Sequence, residues 1–448
     1  MADITIDGTT IGANRFLILD STGKIPAVDG SQVTAIAAGN IATGTIPIAR
    51  IDTGSTANKI VVLDGSGRLP AVSGALLTNV SSSTKSASDP TVSTNPSGGV
   101  GTEWHNTTSG EAYICTDATA GANVWTNIGA GTGNVAPYSF QGSNYGYCSG
   151  GYSWNGSIAN WNYIDRWSYA STGNAVDVGD LEVPAASGAQ QGIYRAAAAS
   201  SETHGYVLGG AGAHDEIEKF SFATGTENAS HVADLLSTAK GETVGWTNGT
   251  YAYTAGWTEP DPGKTIIQKF VYATDADAVD SGGDLSRGRA KHVTTQTTTY
   301  GYAVGGMGPS SGATATNSID KWQFETTNTA TDVADLLGDR RDGGWGSSSL
   351  THGYVAGGTT AVAATKVNSI EKHQFSNDAN STDVGDLAGT YYAYGSNSST
   401  THAFGFGRQG GTSVGSNEIT VVAFSSDGNA TDWGDLTQIR MWGQGHQF

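Results

Sequence analysis

The chain has 448 residues, of which 64 are glycine and only 14% are charged, against roughly 25% in an average globular protein. Its formal net charge of -19 argues against nucleic-acid binding, and its hydrophobic fraction of 37% still supplies a core for two or three domains. Cys115 and Cys148 are the only cysteines, which excludes a disulfide framework, and no apolar run is long enough for a transmembrane helix. The opening residues Met1-Ala-Asp-Ile-Thr-Ile-Asp-Gly8 have neither a basic region nor an apolar stretch, so no signal peptide is expected.

Residues 1–85 contain an internal duplication. Asn14-Arg-Phe-Leu-Ile-Leu-Asp20-Ser-Thr-Gly23-Lys-Ile-Pro26-Ala-Val-Asp-Gly30 recurs without a gap as Asn58-Lys-Ile-Val-Val-Leu-Asp64-Gly-Ser-Gly67-Arg-Leu-Pro70-Ala-Val-Ser-Gly74. A third apolar piece, Ile41 to Ile51, lies between them. Each unit reads as one short β-run, a tight Asp-x-x-Gly turn and an Ile/Leu-Pro break. Such a unit cannot cover its own apolar face, so the simplest solution is a shaft built from three copies of the chain.

This phrase resembles the shaft repeats of tail-fibre proteins from phages of marine bacteria and cyanobacteria. The resemblance covers residues 13–80 and implies a homotrimer located in the virion tail, attached to other tail proteins through its N-terminus. Two or three repeats make a short shaft, as in a small fibre or a tip piece.

Residues 86–134 read as a small β module. Trp104 and Tyr113 flank an Asn-Thr-Thr-Ser-Gly turn, a hairpin signal, and Trp125 would close a third strand onto it. In a domain this small each large side chain is needed for burial, which favours a miniature core over sugar binding for these rings.

From residue 135 onward, one phrase recurs six times, some copies degraded: His/Tyr-Gly-Tyr-x-x-Gly-Gly, then Ile-Glu/Asp-Lys-aromatic-x-aromatic, then Asn-Ala-x-Asp-Val-Gly/Ala-Asp-Leu. The closing residues Leu181, Leu235, Leu285, Leu336, Leu387 and Leu436 lie about fifty residues apart, a period typical of propellers and other repeat arrays. Four strands per repeat are expected. The chain enters at Tyr145 on the second strand of a repeat and ends beyond Leu436 with a spare strand, which would complete the first repeat and close the ring. The repeats resemble kelch blades in their double glycine and period. The fold expected is therefore all-β: a short N-terminal trimeric β shaft, a small β module and a C-terminal six-bladed kelch-like β-propeller at residues 135–448.

Catalytic groups occur once per site, whereas the pairs Asp177/Asp180, Asp332/Asp335, Asp383/Asp386 and Asp432/Asp435 recur at one place in the repeat. They read as turn residues, with Arg289, Arg340 and Arg440, each four positions after a closing leucine, as their expected partners. His204, His352 and His402 recur likewise. No nucleophile elbow, zinc motif or phosphate loop is present, no ligand spacing supports calcium, and no cofactor or metal is expected.

Binding is signalled by what varies. The connection after the double glycine changes length between repeats, and in the first it reads Tyr152-Ser-Trp154-Asn-Gly-Ser-Ile-Ala-Asn-Trp161-Asn-Tyr163. Aromatics interleaved with Asn and Ser suit the faces and hydroxyls of sugars; the alternative is a loop that uses its rings as a plug or packs on another subunit. Trp257, Glu259 and Trp345 are weaker candidates on the same rim. The function expected is non-catalytic attachment to a host cell-surface receptor, in the first place a glycan. The alternatives are a structural tail or filament component and, third, a glycan-degrading tailspike.

Overall fold

The computed structural model describes residues 21–22 and 83–448, apart from 129–134, 136, 155–157, 183–192, 212–213, 224–227, 237–240, 257–264, 309–314, 342–343, 361–364, 393 and 410–414. The duplicated phrases at 14–30 and 58–74, and the shaft expected from them, lie outside the described residues except at 21–22. Among the described residues the structure is all-β, without a helix long and apolar enough to cross a membrane.

The small module is one four-stranded sheet of Ser83–Ser86, Glu103–Asn106, Ala112–Asp117 and Val124–Asn127, the last three strands antiparallel. Its core is Tyr113, Cys115 and Trp125, with Trp104 meeting Trp125 edge-on at 5.8 Å. The aromatics are thus a miniature core, as their number in so short a segment dictates. Cys115 and Cys148 are both buried free thiols, and burial raises that of Cys148 to about 12.

Residues from 144 onward build six four-stranded sheets, numbered here in chain order. Sheet 1 combines Tyr145–Ser149, Tyr163–Ser168 and Val176–Asp180 with the C-terminal strand Gln444–Gln447, which pairs Gln444 with Ser149 and Gln447 with Gly146. Sheets 2 to 6 begin with Ala197–Ser200, Val244–Thr247, Val293–Gln296, Trp345–Ser348 and Gly395–Ser398. Each of these first strands is a sheet edge and neighbours the first strands of the sheets before and after it. The cycle returns from Gly395–Ser398 to Gln444–Gln447 and on to Ala197–Ser200, so the six sheets close on themselves.

Close approach of first strands explains their small residues. A Cβ on Gly245 would lie 2.1 Å from the Ala198 carbonyl oxygen, one on Gly346 2.3 Å from that of Thr294, and one on Gly445 1.8 Å from that of Ser396.

The recurring phrases are the seams between sheets. The main-chain N–H groups of Asp180, Asp335, Asp386 and Asp435 donate to Asn228, Asn380, Asn429 and Asn174 of the next sheet, at 2.9–3.2 Å. The last of these crosses the closing seam between sheets 6 and 1. The arginines correct the expectation drawn for them. Arg289 and Arg440 pair at 2.7 and 2.6 Å with Asp320 and Asp165, and Arg340 pairs with Glu371, all acids on the third strand of the following sheet. The repeated aspartates instead take up turn and seam bonds, as where Asp177 and Asp383 accept from Gly179 and Gly385. His204, His352 and His402 each pair through Nδ1 with the preceding threonine at 2.8 Å, so they hold a turn.

Sheet 2 breaks the pattern. Glu218 occupies the acid position, accepts from the Glu182 N–H at 2.8 Å, and among the described residues no arginine pairs with it; burial raises the pKa of its carboxyl to about 8. Gln268 makes the equivalent bond in sheet 3, from Leu236 N–H at 2.8 Å. A carboxyl with its folded pKa raised above the unfolded value holds its proton in the fold, so stability is full at low pH and falls between roughly pH 4.5 and 8. Glu218→Gln should remove that fall, making the variant more stable than wild type by about 1–3 kcal/mol at pH 9 and near-equal at pH 4.5. Denaturant titrations at the two pH values check this.

Candidate functional site

The six first strands surround a cavity of about 420 Å³ along the axis of the cycle. Its two ends differ. At the end where the first strands finish, residues 138–142, arriving from the small module, fill the opening. Tyr138 OH lies 3.2 Å from Thr247 Oγ1, and the Gln141 amide donates to the carbonyls of Ser348 and Ser399 at 3.0 and 2.9 Å. Gly142 N–H donates to Ser398 O, and the Gln447 amide donates to Phe140 O. Phe140 is 3% exposed and lines the cavity as part of its floor. Above it, side chains near the ends of the first strands join in a polar girdle: Thr247 N–H donates to Gln296, Gln296 N–H to Ser348, and Ser348 N–H to Ser398.

The opposite end is a mouth built by one repeated backbone position. Two residues before each of four first strands stands a non-glycine residue with positive φ: Trp442 (54°), Arg195 (56°), Glu242 (80°) and Lys291 (55°). Each such conformation costs roughly 1–3 kcal/mol and persists only where surrounding structure holds it. Here main-chain bonds do so: Arg195 N–H donates to Trp442 O and Glu242 N–H to Arg195 O. The side chains interlock as well. Arg195 lies 4.0 Å above the Trp442 ring and 2.9 Å from the Glu242 carboxylate, and Lys291 reaches that carboxylate at 3.4 Å. Tyr152 and Tyr194 complete an aromatic group with Trp442, at centroid distances of 5.2 Å to each other and 5.7 and 6.3 Å to the indole. On the far side Tyr392 lines the cavity, with the Lys366 ammonium 4.9 Å from its ring.

Of the residues singled out from sequence, Tyr152 reaches this mouth, its main chain bonded both ways to Met441. Trp154 belongs to a short hairpin, Tyr152–Trp154 with Ile158–Asn160, and its side chain lies outside the described part. Trp161 stacks on Tyr163 at 5.6 Å and donates its indole N–H to Ile439 O at 3.1 Å, so this pair braces the hairpin against sheet 6. Trp257 and Glu259 lie outside the described residues. Trp345 is corrected: it is 1% exposed, packed in the core where a Cβ on Gly405 would meet its ring at 2.5 Å, and does not face the rim. Trp442, Arg195, Glu242, Lys291, Tyr194 and Tyr392 escaped the sequence reading. The signal of the first four was positional, a bulky residue two places before a first strand; Tyr194 and Tyr392 stand three places before theirs.

Chemically the mouth offers aromatic faces and fixed charges around a polar well. Among the described residues, no group of three or more His, Cys, Asp or Glu side chains is placed to hold a metal ion. No protein-family model matches the chain, and no curated protein matches it. Among solved structures that are similar, the one titled "Structure of YjhT" shares 10% identity at a TM-score of 0.48, covering 56% of this chain and 86% of that one.

Proposed function

We propose that the cycle of six sheets is a six-bladed, kelch-like β-propeller and that the chain is the receptor-binding piece of a phage tail fibre. In this reading, residues 1–85 form a trimeric shaft attached to other tail proteins, 86–134 a spacer module, and 135–448 a non-catalytic head that binds a host-surface glycan. The observation that carries the reading is the polarity of the axial cavity. The segment arriving from the module fills one end, while Tyr152, Tyr194, Trp442 and Arg195 are gathered at the other. A head carried from one side and furnished with aromatics on the opposite side is arranged to meet a surface. Held aromatic rings with a neighbouring arginine are also the side chains that dominate binding energy at recognition sites.

Trp442→Ala should weaken binding of the full chain to host cells by about 2 kcal/mol, roughly 30-fold, with the melting temperature little changed. A cell-binding assay with fluorescently labelled protein measures this, and unchanged binding would sink the reading. Light scattering should give the full chain three times its 45.9 kDa mass.

A further inference from the structure

We infer that the axial well takes the terminal sugar of the receptor glycan, end-on, rather than an internal stretch of its chain. This rests on the receptor-binding reading above and adds what the site selects.

Three observations carry it. First, the well is closed below. Phe140 floors it, and residues 138–142 are fastened to the first strands or their ends in sheets 3, 5, 6 and 1 through Tyr138, Gln141, Gly142 and the Gln447 amide. A polymer cannot thread through, and only an end can descend. Second, the wall is polar and built by the first strands. Each first strand pairs within its own sheet on one side only; on the other, its edge groups bond to Thr, Gln, Ser and Asn side chains of neighbouring first strands, as Thr247 N–H does to Gln296 and Gln296 N–H to Ser348, and these polar side chains line the well. Six such strands converge on one well. A ligand that satisfies such a wall must donate and accept at closely spaced points around a ring, which is the chemistry of a pyranose. Third, the size fits. A cavity of about 420 Å³ sits low in the ~300–1,000 Å³ range of small-molecule sites, with room for one or two sugar rings. The aromatic group of Tyr152, Tyr194 and Trp442 lies at the rim, where the next sugar of the chain would pass.

The test is a glycan microarray probed with the full chain, followed by calorimetry with the oligosaccharides that bind. The expected result is a set of ligands sharing one non-reducing terminal residue. The methyl glycoside of that residue should compete, and capping the residue with one further sugar should lower affinity at least tenfold. If capped and uncapped oligosaccharides bind alike while Trp442→Ala still weakens them, the ligand crosses the rim and the end-on inference is overturned with the receptor reading intact. If no saccharide binds and Trp442→Ala adsorbs to cells as wild type does, the receptor reading itself falls.

Discussion

Removing residues 444–448 should leave a chain that no longer melts cooperatively and that aggregates on a sizing column. The strand Gln444–Gln447 is the first strand of sheet 1, and its loss uncovers Tyr145–Ser149 along its whole length. His446, fully buried, bonds Ser149 Oγ at 2.8 Å, and its carbonyl accepts from Asn397 of sheet 6 at 2.8 Å. Gln447 N–H donates to Ser200 of sheet 2, and Phe448 packs on Phe222 at 5.3 Å. One short strand therefore joins three sheets. The expected loss is on the order of 5 kcal/mol or more, comparable to the whole stability of an average domain. The freed edge is a template for unwanted pairing. A peptide of residues 441–448 added in excess should restore part of the folded signal by strand addition; a truncated chain that melts like the parent would refute the account of closure.

The second large effect is expected at Arg440. Its guanidinium and the Asp165 carboxylate are both wholly buried, 2.6 Å apart, and the same guanidinium donates to the carbonyl of Gly150 at 2.9 Å. Arg440→Met leaves Asp165 as an uncompensated buried charge and should cost about 3–5 kcal/mol in equilibrium denaturation. The double variant Arg440→Met, Asp165→Leu should recover much of that loss, because an apolar pair of similar volume needs no desolvation. If the double variant is as unstable as the single one, the pair's packing rather than its charge is what matters. Arg289 with Asp320 is the internal control, since it makes the same pair across a seam that does not join the chain's ends.

The architecture of residues 135–448 was legible because repetition exposes what each phrase is for. The double glycine, the Ile-acid-Lys run and the Asp-x-x-Asp-Leu phrase fall on successive strands, and the spare C-terminal strand lands in sheet 1. The partners of Arg289, Arg340 and Arg440 were misjudged because nearness in sequence suggested the aspartates just before them. The actual acids, Asp320, Glu371 and Asp165, lie in the next sheet, a relation that no local spacing encodes. The mouth was largely hidden for a related reason. Trp442, Arg195, Glu242 and Lys291 belong to four different repeats and differ in chemistry, so no motif links them. Trp345 misled because its neighbours Gly344 and Gly346 look like a loop, whereas they permit strand packing around a buried ring.

The fastening of residues 138–142 bears on how the molecule would carry load. Tension applied through the chain before residue 137 does not peel a strand from a sheet edge, one hydrogen bond at a time. It acts first on bonds to Thr247, Ser348, Ser398 and Gln447, which belong to sheets 3, 5, 6 and 1. The load is thereby spread over four sheets before it reaches the strand Tyr145–Ser149.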